Sequence, residues 1–244
     1  MKLLTLNTYS WVQTADPETY AALIADILEN EYDAIALQEV NQLSSGTSVN
    51  EPEGYLPTQN EIPIKSDNFA YFLVKSLAEK GLSYHWSWVP CHQGYFRFDE
   101  GVAILSKAPI QSVEQVQLSV VNDFENIHTR RALALETEAA AFVSVHLSWW
   151  KTEEENPFLL EWTSVETAVK KLRGIKPIYV MGDVNNPADV RNEGYDLITN
   201  AGWQDAYAVA ATRIGSATVP PAIDGWVGNE VPLRIDYIFS DQPQ

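Results

Sequence analysis

Pro177-Ile178-Tyr179-Val180-Met181-Gly182-Asp183-Val184-Asn185-Asn186 is the stretch whose reading decides the fold. Its first half is an apolar run that predicts a buried strand. Its second half places an acid and an amide two residues apart, so both side chains leave the same face of the pleat at the strand's carboxyl end. Such a string is also what an Asx turn uses. Four companions, each on or just after an apolar strand, favour a site. Asn7 follows Leu3-Leu4-Thr5-Leu6, and Glu39 follows Ala34-Ile35-Ala36-Leu37-Gln38. His146 follows Phe142-Val143-Ser144-Val145, and Asp236 follows Leu233-Arg234-Ile235.

The ordered set Asn, Glu, His, Asp-x-Asn, Asp resembles the endonuclease/exonuclease/phosphatase superfamily from Lys2 to about Phe239. The flanking strings agree: Leu6-Asn7-Thr8-Tyr9, Leu37-Gln38-Glu39-Val40, Gly101-Val102-Ala103-Ile104-Leu105-Ser106, Val145-His146-Leu147 and Arg234-Ile235-Asp236-Tyr237-Ile238-Phe239. The resemblance implies an α/β fold, a four-layer α-β-β-α sandwich of two packed mixed sheets flanked by helices, with the site at one end.

It also implies roles. A carboxylate leaving a buried strand needs a partner or a cleft. Glu39 is therefore the expected Mg²⁺ ligand (Mn²⁺ being the alternative ion), because such ions take hard oxygen donors and few protein carboxylates. Asn7 offers a second oxygen, or else an Asx turn before Tyr9. Asp183 would align and deprotonate water, Asn185 would hold a phosphoryl oxygen or fix Asp183, and His146 would donate to a non-bridging oxygen. Phosphoryl transfer asks mainly for positioning and charge neutralisation. Asp236 completes the catalytic set. In the superfamily a Ser-Asp-His string follows this Asp; here Ser240-Asp241-Gln242-Pro243 departs from it and reads as a loop. The expectation is one domain over 1–244 lacking its last strand.

Composition narrows the partners. The 244 residues are 45% hydrophobic, which suffices for one large core. Sixteen basic against 33 acidic residues give a net charge of −17, poorly suited to neutralising nucleic-acid phosphates. A small phosphorylated substrate is expected, with neither nucleic acid nor membrane as partner. No apolar run approaches a membrane span, and the start Met1-Lys2-Leu3-Leu4 enters a strand without a leader. The single cysteine, Cys91, fits a reducing cytoplasm and reads as an apolar filler.

Along the chain, Asp16-Pro17-Glu18 predicts a helix to about Glu29, with Asp16 as N-cap and Pro17 in its first turn. Residues 44–63 read as a long loop, Asp67 to Lys80 as a second helix ended by Gly81, and Glu155 to Arg173 as a third. The third carries a core stripe of Phe158, Leu159, Trp162, Val165, Val169 and Leu172. Strands are expected over 84–89, 101–105, 113–120, 132–136 and 141–146.

Substrate cues lie nearby. Trp149 stands just past His146, where an indole could stack on a sugar ring or pack under a loop. Tyr95 to Glu100 reads as a rim loop. Arg97, Arg130 and Arg131 are candidate phosphate clamps, and His128 is a further candidate beside Thr129. Gly94-Tyr95-Phe96-Arg97-Phe98-Asp99-Glu100-Gly101, His146-Leu147-Ser148-Trp149-Trp150 and Asp224-Gly225-Trp226 resemble a bacterial subgroup of sugar-phosphate phosphatases, maltose 6'-phosphate phosphatases included, often labelled sphingomyelinase-like. A phosphodiesterase, nuclease or lipid-cleaving, and an inactive binding relative are the competing readings.

Overall fold

The computed structural model describes residues 1–11, 16–59, 62–151, 156–222, 226 and 228–242. The first helix, α1 (Pro17–Asn30), starts where the sequence predicts: the Asp16 side chain accepts from the amides of Glu18 and Thr19. A left-handed Glu31 stops it, and its Ile24 and Ile27 are buried. Helix α2 (Phe69–Ala78) is shorter at both ends than expected: Asn68, not Asp67, caps its start, and Glu79 caps its end. Asp67 instead accepts from the Leu43 amide. Helix α3 (Pro157–Val169) begins after an Asn156 cap and ends before Arg173. Its expected first residue, Glu155, lies outside the described residues. Leu159 leaves the predicted stripe, being 39% exposed, while Phe158, Trp162, Val165 and Val169 are buried.

The strands form two sheets. The first has the order β1-β2-β4-β3, from β1 (Leu3–Asn7), β2 (Ala34–Leu43), β3 (His85–Gly94) and β4 (Phe98–Ser106). The second runs β5-β6-β7-β8-β10-β9, from β5 (Ser112–Gln117), β6 (Arg131–Glu136), β7 (Ala141–His146), β8 (Ile178–Asp183), β9 (Gln204–Asp205) and β10 (Asp236–Ser240). Two short helices, α4 (Gly194–Asn200) and α5 (Ala206–Val209), flank β9. Neither they nor β9 was anticipated, being too short to carry a period.

Alternation along the strands explains the layering. In β2, Ile35 and Leu37 face α1 and α2, whereas Ala34 and Ala36 face the other sheet. In the second sheet Leu133, Leu135, Phe142 and Met181 point inward, and Ala132, Val143, Val145 and Val180 pack on Phe158, Trp162 and Val165 of α3. The result is the expected four-layer α-β-β-α sandwich. A buried polar staple fixes how the sheets align: Gln38 Nε2 donates to Ser144 Oγ at 3.1 Å, and that hydroxyl donates to the Leu37 carbonyl at 3.2 Å.

Further expectations change. Glu39 does not end its strand; β2 continues to Leu43 through a register shift between Leu37 and Val40. Phe98, Asp99 and Glu100 belong to β4 instead of a rim loop, leaving the turn to residues 95–97. Ser240 closes β10, so the expected loop begins one residue later, at Asp241, whose side chain accepts from the Ile178 amide at 2.8 Å. Pro243 lies outside the described residues. Cys91 is buried as foreseen, and burial pushes its thiol up to about 11.

Gly182 is one of the positions where the fold tolerates no side chain. It pairs with Val145 in the parallel β7–β8 ladder, at φ +149°, and a Cβ there would meet the Val145 carbonyl oxygen at 2.0 Å. Gly182→Ala should destabilise the protein by about 2–3 kcal/mol or more, since neither the backbone nor a packed strand can yield. Urea unfolding of the two proteins checks this; a midpoint shift worth under about 0.5 kcal/mol, the scale of a surface substitution, would show that the ladder relaxes.

Candidate active site

Parallel pairing gathers the site. Strands β1 and β2 run the same way, so Asn7 ends up beside Gln38. Strands β7 and β8 do likewise, placing His146 beside Asp183, and antiparallel β10 brings Asp236 opposite Asp183. All these ends open into one cavity of about 1470 Å³ between the sheets' edges.

At its floor an amide bridges two acids. Asn7 Nδ2 donates to Glu39 Oε1 at 2.9 Å and to Asp183 Oδ2 at 3.1 Å, while Asn7 Oδ1 accepts from the Tyr9 amide. Asn7 thus makes the Asx turn and joins the site. The bulge turns Glu39 inward at φ +52°, and Asn185 sits at φ +52° as well. Left-handed backbone at a non-glycine residue costs on the order of 1–3 kcal/mol and clusters at functional sites. Burial, then the neighbouring Glu100, raises the Glu39 carboxyl above its usual range, against hydrogen bonds from Asn7 and Ser10. Burial, then Asp236, raises Asp183 well above its ordinary value. Asp183 Oδ1 accepts from the Asn185 backbone N–H, and the Asn185 amide donates instead to the Leu147 carbonyl. Asp236 is also raised by burial; its Oδ1 has no hydrogen-bond partner.

Opposite stand His146 and Arg130. His146 Nε2 lies 3.9 Å from Asp183 Oδ2, and burial, aided by Arg130 and His92, drives its imidazole well below the usual histidine value. It is therefore neutral at physiological pH, able to donate one hydrogen bond without carrying charge. Arg130 lines the cavity at 8% exposure, and its Nε has no partner.

Sequence reasoning missed a chain behind Glu39. Ser10 Oγ lies 3.2 Å from Glu39 Oε2 and donates to Glu100 Oε2 at 2.7 Å; Glu100 Oε1 meets His92 Nε2 at 3.4 Å. Although burial pushes the Glu100 carboxyl up, bonds from His92 and Ser10 bring it below its usual range. The signal available was Glu100 immediately before Gly101, obscured by reading that segment as a loop. Asn186 and Glu161 were missed too. Buried Glu161 accepts from both the amide and hydroxyl of Ser148 at 2.7 Å, clamping the segment that carries Trp149.

Tyr95 and Trp149 both line the cavity, at 64% and 38% exposure. Arg97 does not: it is exposed, its guanidinium 4.7 Å from the Phe98 ring centre. Arg131 is spent on Gln117, the Pro90 carbonyl and Asn122. His128 is exposed and away from the cavity lining. Trp226 lines the cavity, while Asp224 and Gly225 lie outside the described residues.

The donor set suits a hard divalent cation. Glu39, Asn7 and Asp183 present only oxygen and amide groups, and both carboxyls are raised first by burial and then by a neighbouring acid. Among the described residues no three or more His, Cys, Asp or Glu converge as a metal cage. A hard divalent ion of the Mg²⁺ type takes one or two protein carboxylates and fills the rest of its shell with water.

A profile of the Endonuclease/Exonuclease/phosphatase family matches residues 5–243. Among solved structures, an endonuclease/exonuclease/phosphatase family protein from Leptotrichia buccalis C-1013-b superposes with TM-score 0.83 at 26% identity, covering 99% of this chain and 88% of that one. The Bacteroides thetaiotaomicron mannosyl-6-phosphatase Bt3783 gives TM-score 0.60 at 16% identity over 98% and 84% of the two chains. A 3'-5' exonuclease from Neisseria meningitidis gives 0.59 at 15% over 98% and 86%. No functionally curated protein matches the chain.

The raised Glu39 carboxyl fixes the sign of a stability test. A folded carboxyl above its unfolded value binds protons more tightly, so stability is lost as pH rises through the window above the ordinary glutamate range. In EDTA at pH 7.5, Glu39→Gln should therefore melt at the same temperature as the parent or higher. Mg²⁺ or Mn²⁺ at a hundred times its Kd should stabilise the parent by about 2.7 kcal/mol and the variant far less. Equal cation-induced shifts in the two melting curves would place the ion away from Glu39.

Proposed function

The chain belongs to the Endonuclease/Exonuclease/phosphatase family, whose members are hydrolases acting on phosphoesters and generally divalent-metal dependent, and on that premise we propose that it hydrolyses a phosphomonoester of a sugar with Mg²⁺ or Mn²⁺. The observation that carries this reading is Arg130, a cation held at 8% exposure and facing the same cavity as Glu39, Asp183 and Asp236. A buried guanidinium without a carboxylate partner is a place for a doubly charged terminal phosphate, which it can grip with two parallel donors.

Glu39 and Asn7 would hold the cation, which supplies Lewis-acid polarisation of a phosphoryl oxygen. Asp183 receives the proton of the attacking water: its raised carboxyl is a stronger base than an ordinary aspartate, and Asn185 N–H and Asn7 fix its two oxygens. Neutral His146 donates to a non-bridging oxygen as charge builds there. Asp236, raised by burial, is suited to carry a proton toward the leaving oxygen. Trp149 offers an indole face to the sugar.

The surroundings disfavour a long polyanion. Among the described residues lining the cavity, Arg130 and Arg234 are the only arginines and no lysine occurs; Arg234 is paired with Asp205 at 2.8 Å. Asp123 and Glu125 add negative charge at the mouth. A nuclease needs the opposite sign along its groove. The resemblance to maltose 6'-phosphate phosphatases supports a sugar phosphate.

The test is a screen of purified protein with Mg²⁺ against sugar phosphates, bis-aryl phosphodiesters and single-stranded DNA, reading inorganic phosphate or product. Sugar-phosphate turnover is expected; activity confined to diesters would overturn the reading. Asp183→Asn should cut kcat by about 10²-fold or more with little change in KM. A pure KM effect would make Asp183 a binding group.

A further inference from the structure

The β3–β4 hairpin closes in a way its residues oppose. Arg97 N donates to the Gly94 carbonyl at 3.1 Å, and the two residues between them, Tyr95 and Phe96, both have positive φ, +50° and +56°. Positive φ at both central positions is the type I′ pattern, which strongly prefers Asn-Gly. Bulky aromatics in left-handed backbone are outliers that persist only where something else requires them.

Packing does not require them. Phe96 is 91% exposed and Tyr95 is 64% exposed, so neither ring contributes to the core. The stem is held firmly instead: Ser44 N donates to the Arg97 carbonyl at 2.9 Å, and Gln93 N to the Phe124 carbonyl at 2.6 Å. Tyr95 and Phe96 line the catalytic cavity together with Trp149 and Ile127. Two strained, solvent-facing rings on a braced hairpin, set into the same mouth as Trp149, make sense as a surface for a ligand.

We infer that the Tyr95-Phe96 tip is a specificity element, Phe96 included, that clasps the flat apolar face of the sugar on the leaving-group side while Trp149 lies against it from the His146 segment. The inference rests on the sugar-phosphate reading above and deepens it: the preferred substrate is a phosphate ester of a ring sugar, not of a short acyclic alcohol. Local strain in the turn is tolerated because the rings act on substrate.

The clasp and the fold pull in opposite directions, which makes the test sharp. Replacing the tip by the turn's preferred pair, Tyr95→Asn with Phe96→Gly, should raise the melting temperature by about 2–4 °C. The same variant should lower the ratio of kcat/KM for glucose 6-phosphate or maltose 6'-phosphate over that for glycerol 3-phosphate by about tenfold, the scale of one lost stacking contact. Phe96→Ala, which keeps the turn residues' handedness problem and removes one ring, should lower that ratio without the full gain in melting temperature. An unchanged ratio in both variants, in protein that turns over the sugar phosphates, overturns the clasp alone. Parent protein that hydrolyses neither sugar phosphate overturns the sugar-phosphate reading and the clasp with it.

Discussion

Crowding of negative charge at one end of the sandwich is the constraint around which the rest is arranged. Glu39, Glu100, Asp183 and Asp236 all face one cavity, and burial weighs on each. Carboxylates taken out of water are costly unless paired or hydrogen-bonded. The neighbours answer that cost by donation: the Asn7 amide to two acids, the Asn185 backbone to Asp183, Ser10 and His92 to Glu100. Arg130 supplies positive charge without closing onto any one of them, and His146 stays neutral. Such an end is electrostatically incomplete.

The same constraint explains why the sheets must align closely. Gln38 precedes Glu39, and Ser144 lies two residues before His146, so the Gln38–Ser144 staple sets the two halves of the site against each other. Small Ala34 and Ala36 on the inner face let the sheets approach. A slip of one residue in either sheet would invert the faces and carry Glu39 or His146 out of the cavity.

Much of this was legible in the sequence, for a physical reason. Asn7, His146, Asp183 and Asp236 each terminate or begin a strand marked by an apolar run, and their order along the chain, with the family resemblance, is what singles them out. The α1 cap was readable because Asp16 and Pro17 act within one turn. What stayed hidden depends on pairing between distant segments. The bulge at Glu39 arises from the register of β2 on β4, and nothing local to residues 34–43 announces it. Ser10, His92 and Glu100 meet across more than eighty residues of chain, the Ser10–Glu100 separation being 90. Arg97 and Arg130 look alike in sequence; only the fold separates an exposed guanidinium from a buried one.

Cys91 lies in β3 beside His92, behind the cavity wall, with Sγ 3.5 Å from the Arg131 carbonyl. Being the chain's one thiol, buried and held protonated, it is silent toward alkylating reagents in the closed molecule. Its reactivity is therefore a clock for rare opening of the wall that holds His92 and Glu100, readable by mass without adding a probe. The native sequence already carries the reporter.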